Sequence, residues 1–301
     1  MDKAAGLQGR IIAAHGRHYT VEFADGSVRK CFPRGKKAGA TVGDHVVVSP
    51  QAADEGSIDQ ILERRNLLYR SDDMRSKQFA ANVDQLLIVV APEPVFSDDL
   101  LGRALIAART AGIEPVIVLN KTDLQDSLPR ARAKLASLAG AGVRTIEISA
   151  LAEEAVRNAL LPVLKGKCSL LLGQSGMGKS TILNALIPDA RAHTQEHSLA
   201  LGTGKHTTTT TRLYHLPDGS GDLIDSPGFQ AFGLYHLSPS DIERGFPEFQ
   251  EGIAHCRFYN CTHRHEPGCG VLAALEQGSI PPERHELYKR ILAENEAQGR
   301  Y

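Results

Sequence analysis

The chain has 301 residues, 42% of them hydrophobic and 23% charged, with a formal net charge of −1. That length predicts two or three domains with ordinary packed cores. The balanced charge excludes a global pull toward nucleic acid or an anionic membrane, so any basic partner surface must be local.

The opening "MDKAAGLQGR" lacks an apolar signal core. The run "LLIVVA" (Leu86–Ala91) is far shorter than the about 20 residues that span a bilayer. A cytoplasmic protein without membrane contact is expected. Residues 1–66 read as short strands. "HYTVEFA" alternates Tyr19, Val21 and Phe23 on one face, and Asp25-Gly26 signals a two-residue hairpin before "SVRKCF". "VGDHVVV" (42–48) and "GSIDQIL" (56–62) add two more β runs. Four or five such strands predict a small barrel, an OB-fold first and an SH3-like barrel second. Arg29, Lys30, Arg34, Lys36 and Lys37 follow one another here with no acid between them. A charge run of this kind is often only a solvated face, and on an OB-fold it is also a candidate RNA contact.

From about residue 80 the rhythm changes. "DQLLIVVA" is a continuous apolar run suited to a strand buried on both faces, "PVIVLN" reads as another buried strand and "RTIEIS" (144–149) as a third, and "CSLLLG" (168–173) and "GDLIDSPG" (221–228) add two more strands. Ser97 caps a helical pattern of Leu100, Leu101, Ala104, Leu105 and Ala108 that ends near Gly112. Alternating strands and helices predict a parallel, doubly wound α/β domain over 67–232. Residues 233–301 hold a Cys/His cluster between helical patterns and end in the polar helix "ERHELYKRILAENEA".

"NKTD" (Asn120, Lys121, Thr122, Asp123) closes one buried strand, where nucleotide sites form in parallel sheets. Asp123 can accept from guanine N1–H and the exocyclic amine, a donor pair that adenine lacks. A helix N-cap is the alternative role for Asp123. Asn120 ties this loop to the base and the phosphate loop, and the Lys121 stem covers the base. Ser149 and Ala150 of "ISAL" end the next strand, where Ala150 can offer a backbone N–H. "GQSGMGKS" follows, matching G-x-x-x-x-G-K-[ST] at every fixed position between an apolar strand and a helix. In that loop Gly173, Gln174, Ser175, Gly176, Met177 and Gly178 turn backbone N–H groups onto phosphate. Lys179 sets charge on the β/γ-phosphates, Ser180 ligates Mg²⁺, and Thr181 continues the helix start. Asp225-Ser-Pro-Gly228 ends another strand and matches D-x-x-G, with Asp225 toward Mg²⁺ and Gly228 N–H toward the γ-phosphate. Between them "GTGKHTTTTTR" (202–212) has the composition of a mobile switch. Thr208 is the candidate ligand for Mg²⁺ there, although five consecutive threonines leave that choice open.

Every part of one GTP site is thus present, with the base reader before the phosphate loop. Cutting the usual order ahead of the base reader and rejoining the ends gives this arrangement, a circular permutation. The motifs "NKTD", "GQSGMGKS", "GKHTT", "DSPGF" and "CRFYNCTHRHEPGC" together resemble the circularly permuted, ribosome-associated GTPases, the ribosome small subunit-dependent GTPase A (RsgA) family. The resemblance covers nearly the whole chain. It implies an N-terminal OB-fold, a permuted P-loop GTPase core and a C-terminal zinc-binding, mostly helical domain. It also implies GTP hydrolysis stimulated by the small ribosomal subunit (30S) during late maturation, with rRNA and GTP or GDP as partners, and a monomer is the default state. The contrasting possibility is an RNA-binding assembly scaffold whose nucleotide is structural.

Phe229 stands where many GTPases place a water-orienting Gln, and an apolar ring cannot orient water by hydrogen bonding. The resemblance points to His206 for that role, beside Lys179 and Thr208. Cys256, Cys261, His263 and Cys269 give C-x4-C-x-H-x5-C, three thiolates and one imidazole, a closed tetrahedral set for one structural zinc per chain. His255 and His265 are competing ligands. The spacing is not the common C-x2-C knuckle, and the resemblance is what selects this set.

Overall fold

A computed structural model describes residues 6–34, 39–71, 76–139, 142–188, 190, 211–226 and 233–298. The first five strands, β1 (Leu7–Ala14), β2 (Tyr19–Phe23), β3 (Val28–Pro33), β4 (His45–Pro50) and β5 (Glu55–Ile61), run in the order β1-β2-β3-β5-β4 and close through a β1–β4 pairing. This closed barrel, with β3 parallel to β5, is the OB arrangement rather than the SH3-like one. The alternation read in β2 has its expected cause: Tyr19, Val21 and Phe23 are buried inside the barrel. The hairpin at Asp25-Gly26 differs from the two-residue turn. Gly26 N–H donates to Phe23 O and Phe23 N–H to Ser27 O, both at 2.9 Å, which makes a three-residue loop. Asp25 sits at a corner, held by Ser27 N–H, and Gly26 takes the left-handed position at φ 79°.

A hairpin of β6 (Leu67–Ser71) and β7 (Ser76–Ala81) seats the barrel. Gly43 has φ 92°, and a Cβ there would overlap Ala81 O, so the close approach requires glycine. Arg64, in the segment that links β5 to β6, donates twice to the buried Asp44, both at 2.7 Å, and so ties that segment to the residue that precedes β4.

The second body is the α/β sheet. Strands β8 (Gln85–Val90), β9 (Glu114–Leu119), β10 (Arg144–Glu147), β11 (Cys168–Gly173), β12 (Arg212–His215) and β13 (Asp222–Asp225) lie in the order β10-β9-β8-β11-β13-β12. All pairings are parallel except β12 with β13. The helices are α1 (Asp98–Thr110), α2 (Leu128–Ala139), α3 (Glu153–Leu164) and α4 (Lys179–Leu186). Ser97 caps α1 as read, its hydroxyl accepting from Leu100 N–H. Strands β8 and β11 are buried throughout because helices cover both faces, whereas β10, read as a third buried strand, is largely exposed because it lies at the sheet's edge beside β9.

The two bodies share one continuous sheet. Edge strand β12 pairs antiparallel with β1 at Ala13 and Arg212. The C-terminal part is helical: α5 (Pro239–Arg244), α6 (Gln250–Ile253), α7 (Gly270–Glu276) and α8 (Pro282–Gln298). Helix α8 packs back onto α1. Arg103 reaches Glu294 at 2.8 Å, and a Cβ at Gly102 would overlap Leu287. Arg284 is buried over Phe246 and paired with Glu248 at 2.5 Å. No helix among the described residues is long and apolar enough to cross a membrane.

Candidate nucleotide site and metal centre

The candidate base-reading and phosphate loops meet at one side chain. Asn120 follows β9 and is buried, and both ends of its amide are used. Its Nδ2 donates to Met177 O in the phosphate loop at 2.9 Å, and its Oδ1 accepts from Ala150 N–H at 2.9 Å. Sequence separations of 57 and 30 residues are thereby closed by one amide. A Cβ at Gly178 would overlap Asn120 Nδ2, and Gly178 has φ 94°, so glycine is required there twice over. The Ala150 amide, which the sequence offers as a free donor, is thus given to Asn120. Ser149 Oγ donates to Asp123 Oδ1 at 2.5 Å, which orients the exposed carboxylate at the mouth. Helix α2 begins at Leu128, which removes the N-cap alternative for Asp123. Lys121 takes φ 62° and extends its ammonium to Glu93 O at 2.8 Å.

The phosphate loop leaves β11 at Gly173 and enters α4 at Lys179. Gly176 and Gly178 have φ of 81° and 94° and turn the chain so that successive N–H groups face one side. Gln174 Oε1 accepts from Ser97 N–H at 2.8 Å and ties the loop to the start of α1, a contact that no motif announces. Ser175, Ser180 and Thr181 are exposed along the loop and first turn, while Met177 is buried beneath them. Lys179 Nζ donates to Gly173 O at 2.8 Å and Gln174 O at 3.0 Å. Burial lowers its pKa, with the charge of Asp225 acting against that. Asp225, at the end of β13, is raised to about 6 by burial, opposed by Lys179 and by Ser226 N–H. A buried carboxylate raised this far fits a position that a divalent cation would return to the charged form. His206, Thr208, Gly228 and Phe229 lie outside the described residues.

The cluster read in the C-terminal part converges. The donor atoms of Cys256, Cys261, His263 and Cys269 all lie within 4.8 Å of one another. Cys256 Sγ is 3.9 Å from Cys269 Sγ, and His263 Nδ1 is 3.6 and 3.4 Å from those two sulfurs. Tetrahedral zinc, with Zn–S about 2.3 Å and Zn–N about 2.0–2.1 Å, places sulfurs about 3.8 Å apart and sulfur and nitrogen about 3.5 Å apart. The spacing therefore fits zinc. The chemistry fits as well. Burial raises Cys261 to about 12, whereas Leu272 N–H, His263 and the neighbouring cysteines lower Cys269 against the effect of burial. Three adjacent thiols cannot all ionise without a cation among them. His263 takes φ 56° to turn its Nδ1 inward. Its Nε2 faces Glu243 Oε2 of α5 at 3.1 Å, and its backbone O is held by His285 at 2.7 Å. Neither Glu243 nor His285 was legible in the motif, because both come from other helices. The competing ligands His255 and His265 are exposed and outside the set.

A family model described as "RsgA GTPase" matches residues 61–235. The "Small ribosomal subunit biogenesis GTPase RsgA" of Bordetella pertussis is 66% identical over 294 residues, 98% of each chain. The chain belongs to the RsgA GTPase family. The same-named protein of Burkholderia pseudomallei is 59% identical over 289 residues, 95% of this chain and 92% of its own. Among solved structures, YjeQ from Thermotoga maritima superposes with a TM-score of 0.73 at 31% identity, covering 96% of this chain and 98% of its own. YloQ, described as a circularly permuted GTPase, gives 0.70 at 28%, covering 97% and 96%. The family identity carries the enzyme class, GTP hydrolysis, and the permuted order accounts for a base reader upstream of the phosphate loop.

The basic stretch of the barrel is less bare than the sequence suggested. Lys30 lies 4.0 Å from Glu55, and Arg34 pairs with Asp59 at 3.2 Å, because the parallel neighbour β5 brings acids alongside. Arg29 donates to Ala52 O at 2.8 Å. Lys36 and Lys37 lie outside the described residues.

Proposed function

We propose that this chain is a guanine-selective GTPase that binds the small (30S) ribosomal subunit, assists its late maturation and dissociates after subunit-stimulated GTP hydrolysis. The observation that carries the reading is the Asn120 amide, which joins Met177 of the phosphate loop to Ala150 beside the base reader. Such a junction sets the two loops side by side, as a single ligand spanning both requires. The names of the relatives supply the partner.

In this reading Asp123, oriented by Ser149, accepts the guanine N1–H and exocyclic amine. Lys121 and Thr122 flank the base. The amides of residues 173–178 and the ammonium of Lys179 neutralise the β- and γ-phosphates. Ser180, Thr208 and Asp225 would hold Mg²⁺, which lends charge stabilisation on the transferring phosphoryl group. Gly228 N–H bonds the γ-phosphate and His206 orients the attacking water, since Phe229 cannot. Cys256, Cys261, His263 and Cys269 hold one structural zinc per chain. The barrel (1–66), with Arg29, Lys30, Arg34, Lys36 and Lys37, contacts rRNA, the GTPase domain spans 67–232, and the zinc and helical domain spans 233–301.

The seam supports a route for stimulation. Strand β12 starts directly after the first switch and β13 ends at Asp225, and β12 is bonded to barrel strand β1. A subunit holding the barrel can therefore bear on both switches. GTP turnover with and without purified small subunits tests this reading, because a scaffold with structural nucleotide would show no response.

A further inference from the structure

The segment between the first two metal-site cysteines is a presented aromatic tip. Tyr259 is 104% exposed and its neighbour Phe258 40%. Cys261 N–H donates to Phe258 O at 3.3 Å, closing a turn with Tyr259 and Asn260 at its corners. Arg257 N–H donates to Gly268 O at 3.0 Å, so both ends of the tip are fastened next to clustered donors. The tyrosine ring is thus held out by a hydrogen-bonded turn and is buried against none of the described residues.

The surroundings are basic. Residues 254–265 contain His255, Arg257, Arg264 and His265 and no acid. The guanidinium of Arg257 lies 5.4 Å from the Phe258 ring centroid. Glu266, the first acid beyond the segment, is turned inward. It accepts from the backbone of Thr262, Arg264 and His265 and from the Thr262 hydroxyl. Arg264 is paired with Glu296, which leaves Arg257 and the two exposed histidines facing outward. A planar ring beside cations, with no carboxylate in the segment, matches an unpaired base flanked by phosphates.

We infer that Tyr259, next to the Phe258 ring that Arg257 covers, is a stacking contact for an unpaired rRNA base of the small subunit, a second RNA contact separate from the barrel. This rests on the proposed subunit binding. The test is equilibrium binding of the full-length protein to purified small subunits, comparing wild type with Tyr259→Ala, Tyr259→Leu and Tyr259→Phe, and with thermal unfolding as the check on folding. Loss of one stacked base corresponds to about tenfold weaker binding. Tyr259→Ala and Tyr259→Leu should each show it, Tyr259→Phe should bind as wild type, and all should unfold at the wild-type temperature. Wild-type affinity in Tyr259→Ala would overturn the inference. So would Tyr259→Leu binding as tightly as Tyr259→Phe, since an apolar protein contact needs no planar ring. A wild-type protein that failed to bind would overturn the subunit reading together with this one, whereas binding indifferent to Tyr259 would overturn this one alone.

Discussion

Arg10 of the barrel donates to Asp222 of the GTPase sheet across 2.5 Å, and its second nitrogen reaches Cys168 Sγ at 3.1 Å. Asp222 starts β13, the strand that ends at Asp225. The ion pair therefore links barrel position to the strand carrying a proposed Mg²⁺ ligand. Both side chains are mostly buried, so hydrogen bonds between charged groups there are worth about 1.5–3 kcal/mol. Arg10→Met should lower stability by that order in urea unfolding. It should also cut subunit-stimulated hydrolysis more than the unstimulated rate, and an equal effect on both rates would show that the seam does not transmit.

The same seam should respond to pH. His215 of β12 bridges Glu22 of the barrel and Asp222, both at 2.7 Å. Burial alone would lower its pKa, but the bonds to Asp222 and Glu22 prevail and raise it above 6.5. A raised folded-state pKa stabilises fully below 6.5 and is lost as pH rises through the raised value. Stability of the wild type should fall over that rise relative to His215→Gln, with the two melting curves converging above it. Parallel pH profiles would refute the bridge.

In the proposed reading, guanine selectivity rests on Asp123. Asp123→Asn should weaken GTP by roughly tenfold or more, as expected for lost bonds to a charged acceptor. It should favour xanthosine triphosphate, whose 2-oxo group suits an amide. Gly178→Ala should weaken GTP as well, because its Cβ displaces Asn120. Competition binding with GTP, ATP and xanthosine triphosphate reads all of these, and equal ATP and GTP affinity in the wild type would refute the base assignment.

One zinc per chain is expected by elemental analysis. Cys261→Ser or prolonged chelation should loosen the C-terminal helices, seen as faster hydrogen exchange over 239–298, with GTP affinity largely kept. Glu243→Gln should weaken zinc about 10–100-fold while leaving all four ligands in place, as loss of a ligand's hydrogen-bonding partner does. Zinc-free protein with unchanged exchange would overturn the structural role.

Much of this was legible because it is local. A phosphate loop needs consecutive residues, and β8 and β11 announce burial by unbroken apolar runs. Strands β1, β6, β7 and β12 were not read. "LQGRIIAA" and "RLYH" carry little alternation and are strands because partners far along the chain pair with them, as Ala13 does with Arg212. Glu243 and Gln174 were hidden for the same reason, their roles lying in helices or loops that meet only after folding. Asn120 was the exception, since its motif implies a bridge, although the sequence named no acceptor for the Ala150 amide that Asn120 takes.

The most direct test is the rate of GTP hydrolysis by the purified full-length protein, with and without small ribosomal subunits. The protein alone should turn over at or below about 10⁻⁴–10⁻² s⁻¹, and subunits should raise the rate at least about tenfold, as stimulation in trans does in other GTPases. His206→Ala should remove most of that rise while keeping GTP affinity. A rate unmoved by small subunits, in protein that binds both GTP and the subunit, would contradict the account.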